Sequence, residues 1–167
     1  ELRFFLKLAL KPPPTRRHER RARGLRPDAL DQKPRPASSG ACAGADTRLL
    51  TYSTASDGRS FSMLAAALNA IPDLAWRLII IGDGEAAQSV KSAFAPLNGN
   101  RVYFAGELNT KEVQPYLDAS DIFVWPAIHE AFGMAMLEAQ RHALPVVAGH
   151  TDGTATIVDN HCTGILT

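Results

Sequence analysis

Residues 78–95 read LIIIGDGEAAQSVKSAFA. The four aliphatic residues at 78–81 show no polar alternation, the pattern of a strand covered on both faces. Gly82-Asp83-Gly84 turns the chain, and residues 85–95 then place Val90 and Phe94 on one side of a helix. A doubly covered strand that runs into a helix is half of a βαβ unit, in which the strands lie parallel.

The same alternation continues in both directions. Upstream, residues 49–53 form a candidate strand. Ser60 can then cap a helix with Phe61, Leu64, Ala65 and Leu68 at helical spacing, and Pro72 ends it. Downstream, the expected strands are 102–104, 122–125, 145–148 and 164–166. The expected helices are 111–120 (carrying Val113, Tyr116 and Leu117), 133–142 and a short turn at 154–158. The predicted fold is α/β, a doubly wound, Rossmann-like parallel sheet with right-handed crossovers and helices on both faces. Ligands of such sheets bind outside the carboxyl ends of the strands. The loops that matter are therefore 54–59, 82–85, 105–109, 126–132 and 149–154.

Residues 1–46 differ in character. They hold eleven Lys+Arg against five Asp+Glu, whereas residues 47–167 hold seven against twelve. The net charge of +1 averages over this asymmetry and predicts no affinity for nucleic acid. Pro12-Pro13-Pro14, TRRHERRARGLRP and KPRPASSG show neither strand nor helix period, and like charges and prolines oppose a packed core. The expected division is an irregular, basic, Pro/Arg-rich extension over 1–46 and one folded domain over 47–167. The extension reads first as a disordered linker. Its alternatives are a tail lying on anionic lipid and a stretch foreign to the reading frame of the rest. Residues 1–10 (ELRFFLKLAL) are apolar but short and interrupted by charge, too short to span a bilayer and without a cleavage site. They suit a helix belonging to another domain or a weak surface anchor. Cys42 and Cys162 have no metal-ligand spacing and read as reduced thiols. His142, His150 and His161 likewise suggest no metal site.

The richest chemistry lies in residues 125–140, WPAIHEAFGMAMLEAQ. A strand ends, a loop carries Glu130, and a helix starts near Phe132-Gly133. Glu138 follows Glu130 by eight residues, roughly 12 Å at helical rise. Glycosidase carboxylate pairs stand only about 5–9.5 Å apart. The wider spacing suits two carboxylates gripping different parts of one long ligand. Between them lies a helix N-terminus, whose amides and dipole favour phosphate, and Gly133 allows close approach to the backbone. A carboxylate at each end of an anion site describes a sugar diphosphonucleoside. A solvated helix carboxylate is the alternative for Glu138, and His129 reads as a loop residue beside the site.

This segment resembles the E-x7-E motif of the family 4 glycosyltransferases, with an aromatic-Gly pair after the first Glu and L-E-A at the second. DIFVWP, LPVVAG, LIIIGDGE and VYFAGEL resemble further blocks of that family, in its order, across residues 47–167. The resemblance implies the C-terminal, nucleotide-sugar-binding half of a GT-B fold. Full-length members transfer a hexose-type sugar from a nucleotide donor (UDP or GDP) to an acceptor hydroxyl with retention. The acceptor would be a glycan, lipid or small molecule, in polysaccharide or cell-envelope synthesis. The resemblance implies neither cofactor nor metal. It implies a cytoplasmic setting, with peripheral contact at the inner membrane face as a further possibility.

Residue by residue, it places Glu130 beside the donor sugar as the catalytic carboxylate. The amides of Phe132, Gly133 and Met134, with Leu137 nearby, would meet the sugar and diphosphate. Glu138 would accept from the ribose hydroxyls. Residues of the loop 105–108, Leu108 included, would flank the base, with Gly106 permitting close approach, and Gly82 would belong to the donor-binding set. The sequence also departs from the family. An Arg and a Lys are usual in the first loop, but Ser53-Thr54-Ala55-Ser56-Asp57-Gly58-Arg59 offers only Arg59, which is otherwise a surface cation. Asp152-Gly153 and Thr156 stand where a Gly-Gly pair and a Glu are usual. Much of the acceptor domain is expected to be missing, leaving a chain that binds nucleotide weakly and transfers little or no sugar alone.

A second enzyme class offers itself. Gly82-x-Gly84-x-x-Ala87 meets the dinucleotide fingerprint of an NAD-type Rossmann domain. That fingerprint normally follows the first strand, with an acidic residue about 20 positions later. Here it follows the second recognisable strand, and Glu107 lies 25 positions on.

Overall fold

A computed structural model describes residues 46–52, 58–97, 100–126 and 133–167. Strand β1 (Thr47–Tyr52) leads to α1 (Gly58–Asn69), β2 (Trp76–Ile81), α2 (Ala87–Phe94), β3 (Val102–Gly106) and α3 (Thr110–Ala119). Then follow β4 (Ile122–Trp125), α4 (Met134–Arg141), β5 (Val146–Ala148), α5 (Asp152–Ala155) and β6 (Gly164–Leu166). All neighbouring strands pair parallel, in the order β3-β2-β1-β4-β5-β6. This is the doubly wound arrangement expected from the sequence. No described helix is long and apolar enough to cross a membrane.

The sheet separates two cores. On one face α1 and α2 bury Phe61, Leu64, Leu68, Val90 and Phe94 against Leu49, Leu78, Ile80 and Val124. On the other, α3 and α4 bury Val113, Leu117, Met136 and Ala139 against Leu50, Ile79, Phe123 and Val146. Successive strand residues point to opposite faces, so the apolar runs of β2 and β4 feed both cores. The helices change face where the strand order reverses, because one hand of crossover requires it.

The strand and helix identities follow the sequence, and several ends differ for local reasons. Strand β1 starts at Thr47 rather than 49: Thr47 N–H donates to Ala75 O, and Arg48 binds Asp121 through backbone and guanidinium. Ser60 does not cap α1, which begins at Gly58 and leaves Ser60 buried in its first turn. Helix α2 begins at Ala87, not 85. Asp83 accepts from the Gly84 N–H at 2.8 Å and extends the turn, with Gly84 at φ 134°. Helix α3 begins at Thr110, fixed by a capping box between Asn109 and Glu112. Helix α5 begins at Asp152 rather than 154 because Thr151 and Thr154 cap it reciprocally. Strand β3 runs on to Gly106, past a register shift between Ile80 and Ile81.

Candidate functional site

Strand order reverses between β1 and β4, so the crevice of this sheet opens beyond Tyr52 and Trp125. A cleft of about 290 Å³ lies beside that point. Tyr52 and Ile81 end the strands beneath it. Gly82, Glu107, Leu108 and Thr110 form one side, Val113 and Gln114 of α3 the next, and Glu138 of α4 another. A smaller hollow of about 180 Å³ adjoins it, sharing Gly82 and reaching Gly106 and Phe104.

Two glycines shape this rim. The Gly82 N–H donates to Gly106 O at 2.7 Å, and the two residues bridge antiparallel inside a parallel sheet. Their φ angles are 121° and 76°, where an L side chain is strained. A Cβ on Gly106 would meet nothing within 4 Å. Backbone conformation, not crowding, therefore requires this glycine, and the space above it is open to a ligand.

Helix α4 supplies the anion-binding end. Its N-cap is Gly133, at φ −98° and ψ 80°, and among the described residues no side chain caps it. The first-turn amides and the positive end of the dipole favour an anion. Gly133 is buried, and a Cβ there would fall on the methyl group of Met136. One turn further on, Glu138 is exposed on the wall of the cleft. Carboxylates are acceptors only, so Glu107 and Glu138 suit hydroxyl and N–H donors. They repel phosphate, whose place is the end of α4.

The Tyr52 phenol is the cleft's least expected feature. Its ring packs edge-on against Phe123, with centroids 5.2 Å apart, and Phe123 in turn stacks on Trp125 at 6.0 Å. Burial raises the affinity of the phenol for its proton, and the nearby Glu138 charge raises it further. Glu138 is within reach of the hydroxyl, yet no hydrogen bond of sound geometry joins them. Leaving a buried hydroxyl unpaired costs about 1–3 kcal/mol.

The structure brings Gly82, Leu108 and Glu138 together on one cleft, with Gly106 on the adjoining hollow and Gly133 at the start of α4. The side chains of Met134 and Leu137 are 64% and 38% exposed and do not line the cleft wall. The contact expected of Met134 is through its backbone amide, which lies in the first turn of α4. Arg59, exposed in the first turn of α1, is not in that wall either. Glu130, Phe132 and His129 lie outside the described residues, as do Thr54 to Asp57 of the first loop. Tyr52 and Gln114 were not singled out from sequence, and Glu107 was named only against the dinucleotide fingerprint. The rule that ligands sit at carboxyl ends of strands points to Tyr52, the last residue of β1, but no motif marks it.

The dinucleotide fingerprint fares poorly on topology. Gly82 follows β2, one strand away from the switch point, rather than β1.

Comparison with known proteins decides between the enzyme classes. A family model described as "Glycosyl transferases group 1" matches residues 49–167. The chain belongs to this family. Among curated relatives, a UDP-Gal:alpha-D-GlcNAc-diphosphoundecaprenol alpha-1,3-galactosyltransferase of Escherichia coli is 34% identical over 100 residues, 59% of this chain and 25% of that one. Sulfoquinovosyl transferase SQD2 of Arabidopsis thaliana is 30% identical over 100 residues, 60% of this chain and 19% of that one. Among solved structures, sucrose-phosphate synthase of Thermosynechococcus elongatus superposes with TM-score 0.64 at 27% identity, covering 74% of this chain and 33% of that one. The sequence thus spans a quarter or less of these curated relatives. It is a group 1 glycosyl transferase domain of GT-B architecture, and nothing in these likenesses supports an NAD-binding reading.

Proposed function

We propose that this domain holds the nucleotide-sugar donor of a retaining glycosyltransferase. The observation that carries the reading is Glu138, on the wall of a cleft at the topological switch point, one helical turn past a helix N-terminus that starts at a glycine. A ribose diol against Glu138, a diphosphate on the amides of α4 and a base over the Gly82–Gly106 rim follow the order of parts in a nucleoside diphosphate sugar. Glu130, by the family motif, stands at the sugar. The UDP-galactose named for the E. coli relative supports this donor class, and UDP and GDP are the nucleotides to try. The acceptor is a hydroxyl of a glycan, lipid or small molecule, and the setting inferred from the family is cytoplasmic, with contact at the inner membrane face where the acceptor is lipid-linked.

Catalysis in this reading is positioning plus stabilisation of charge on the departing diphosphate. The amino-terminal end of α4 supplies that charge, and the family motif implies no metal. A single cation in the first loop predicts slow turnover rather than altered chemistry.

Glu138→Ala tests the assignment. It removes one or two charge-assisted hydrogen bonds of about 1.5–3 kcal/mol each. Nucleoside diphosphate affinity, measured by calorimetry, should fall at least about tenfold. Unchanged affinity refutes the role given to Glu138.

A further inference from the structure

Three buried side-chain polar atoms lack a hydrogen-bond partner among the described residues: Thr51 Oγ1, Tyr52 Oη and Trp125 Nε1. All three belong to the last residues of β1 and β4, the two strands that flank the switch point. Buried polar groups are ordinarily satisfied, and clusters of exceptions mark places where something else binds. Of the three, Tyr52 alone also lines the cleft.

Its geometry is suited to one task. The ring is clamped edge-on by Phe123, and Phe123 is braced by Trp125, so the hydroxyl has a fixed position. Glu138, by contrast, is exposed and free to choose among rotamers. A carboxylate has acceptor sites for several donors at once, enough for both hydroxyls of a diol and one phenol.

We propose that Tyr52 is a positioning residue of the donor site, donating its O–H to the Glu138 carboxylate so that the carboxylate is held in the orientation that grips a vicinal diol. The site thereby gains selectivity for ribo- over deoxyribonucleotides. This inference rests on the donor-site reading of Glu138. The fixed phenol limits the carboxylate to one setting, and only a ligand with both hydroxyls uses that setting fully.

The test is a double-mutant cycle in the full chain, with UDP or GDP (whichever binds more tightly) and the 2′-deoxy counterpart as probes. Tyr52→Phe keeps the ring and its packing. It should weaken binding of the ribonucleotide roughly tenfold, a loss typical of one hydrogen bond to a charged group. The preference for ribo- over deoxyribonucleotide should narrow. In a Glu138→Ala background, Tyr52→Phe should cost nothing further. A merely structural role for Tyr52 leaves the preference unchanged. Wild-type affinity in Tyr52→Phe, or a loss that simply adds to that of Glu138→Ala, overturns the inference while leaving the donor site in place. A chain that binds neither nucleotide, or is indifferent to Glu138→Ala, contradicts the donor-site reading and the role of Tyr52 with it.

Discussion

Burial and the Glu138 charge both favour the protonated Tyr52 phenol in the folded chain. The Tyr116 phenol is held protonated in the same sense, first by burial and then by Tyr103. The linkage sign follows. A group whose folded pKa lies above its unfolded value of about 10 stabilises the fold below that pH and ceases to do so as pH rises through the folded value. Stability should therefore decline as pH rises above about 10. Urea unfolding at pH 9, 10 and 11 measures it, and Tyr52→Phe should flatten the decline. An equal decline in the variant would contradict the description of Tyr52 as buried beside a charge. At this scale the sequence was legible where a motif spoke: Glu138 and Gly133 stand where a carboxylate and a close backbone approach were expected. Tyr52 was not legible, because its role comes from β1 lying beside β4, a neighbour some seventy residues away in the chain.

Helices and strands read well because their burial is simple. Strands β2, β4 and β5 are apolar runs covered on both faces, and α1 to α4 each set apolar residues against the sheet. The ends were less legible, since they are set by polar contacts that leave no periodic trace. Arg48–Asp121 and Arg77–Asp46 hold the amino-terminal edge of the sheet, where no apolar signal exists. The Asn109–Glu112 and Thr151–Thr154 boxes fix two helix starts. The turn of chain at β6 gives a prediction at this scale. Gly164 pairs with Val146, and a Cβ on Gly164 would fall on the Val146 carbonyl oxygen and within 2.9 Å of Val158 Cγ1. The obstacle is backbone, which cannot swing aside as a side chain can. Gly164→Ala should lower stability by about 1–3 kcal/mol, read from the midpoint of urea unfolding. Wild-type stability would show that β6 is not packed against β5 as described.

For the whole molecule, the decisive property is strand order. The order β3-β2-β1-β4-β5-β6 puts one crevice between β1 and β4 and brings Tyr52, the rim glycines and α4 around it. Sequence alone supplied the class of sheet and the loops to examine. The family supplied the order of its parts. The electrostatic layout then separates the ligand's parts: acceptor carboxylates Glu107 and Glu138 in the cleft, and the amino-terminal end of α4 beside them. Such a layout suits a ligand with hydroxyls at one place and a diphosphate at another.

The most direct test of this account is an amide NMR titration of the isotope-labelled chain with UDP, then GDP, then NAD. UDP or GDP should shift the amides of Gly133, Glu138, Gly82 and Gly106, and NAD should not. Shifts near Gly82 with NAD alone, or no response to any of the three from a folded chain, would contradict it.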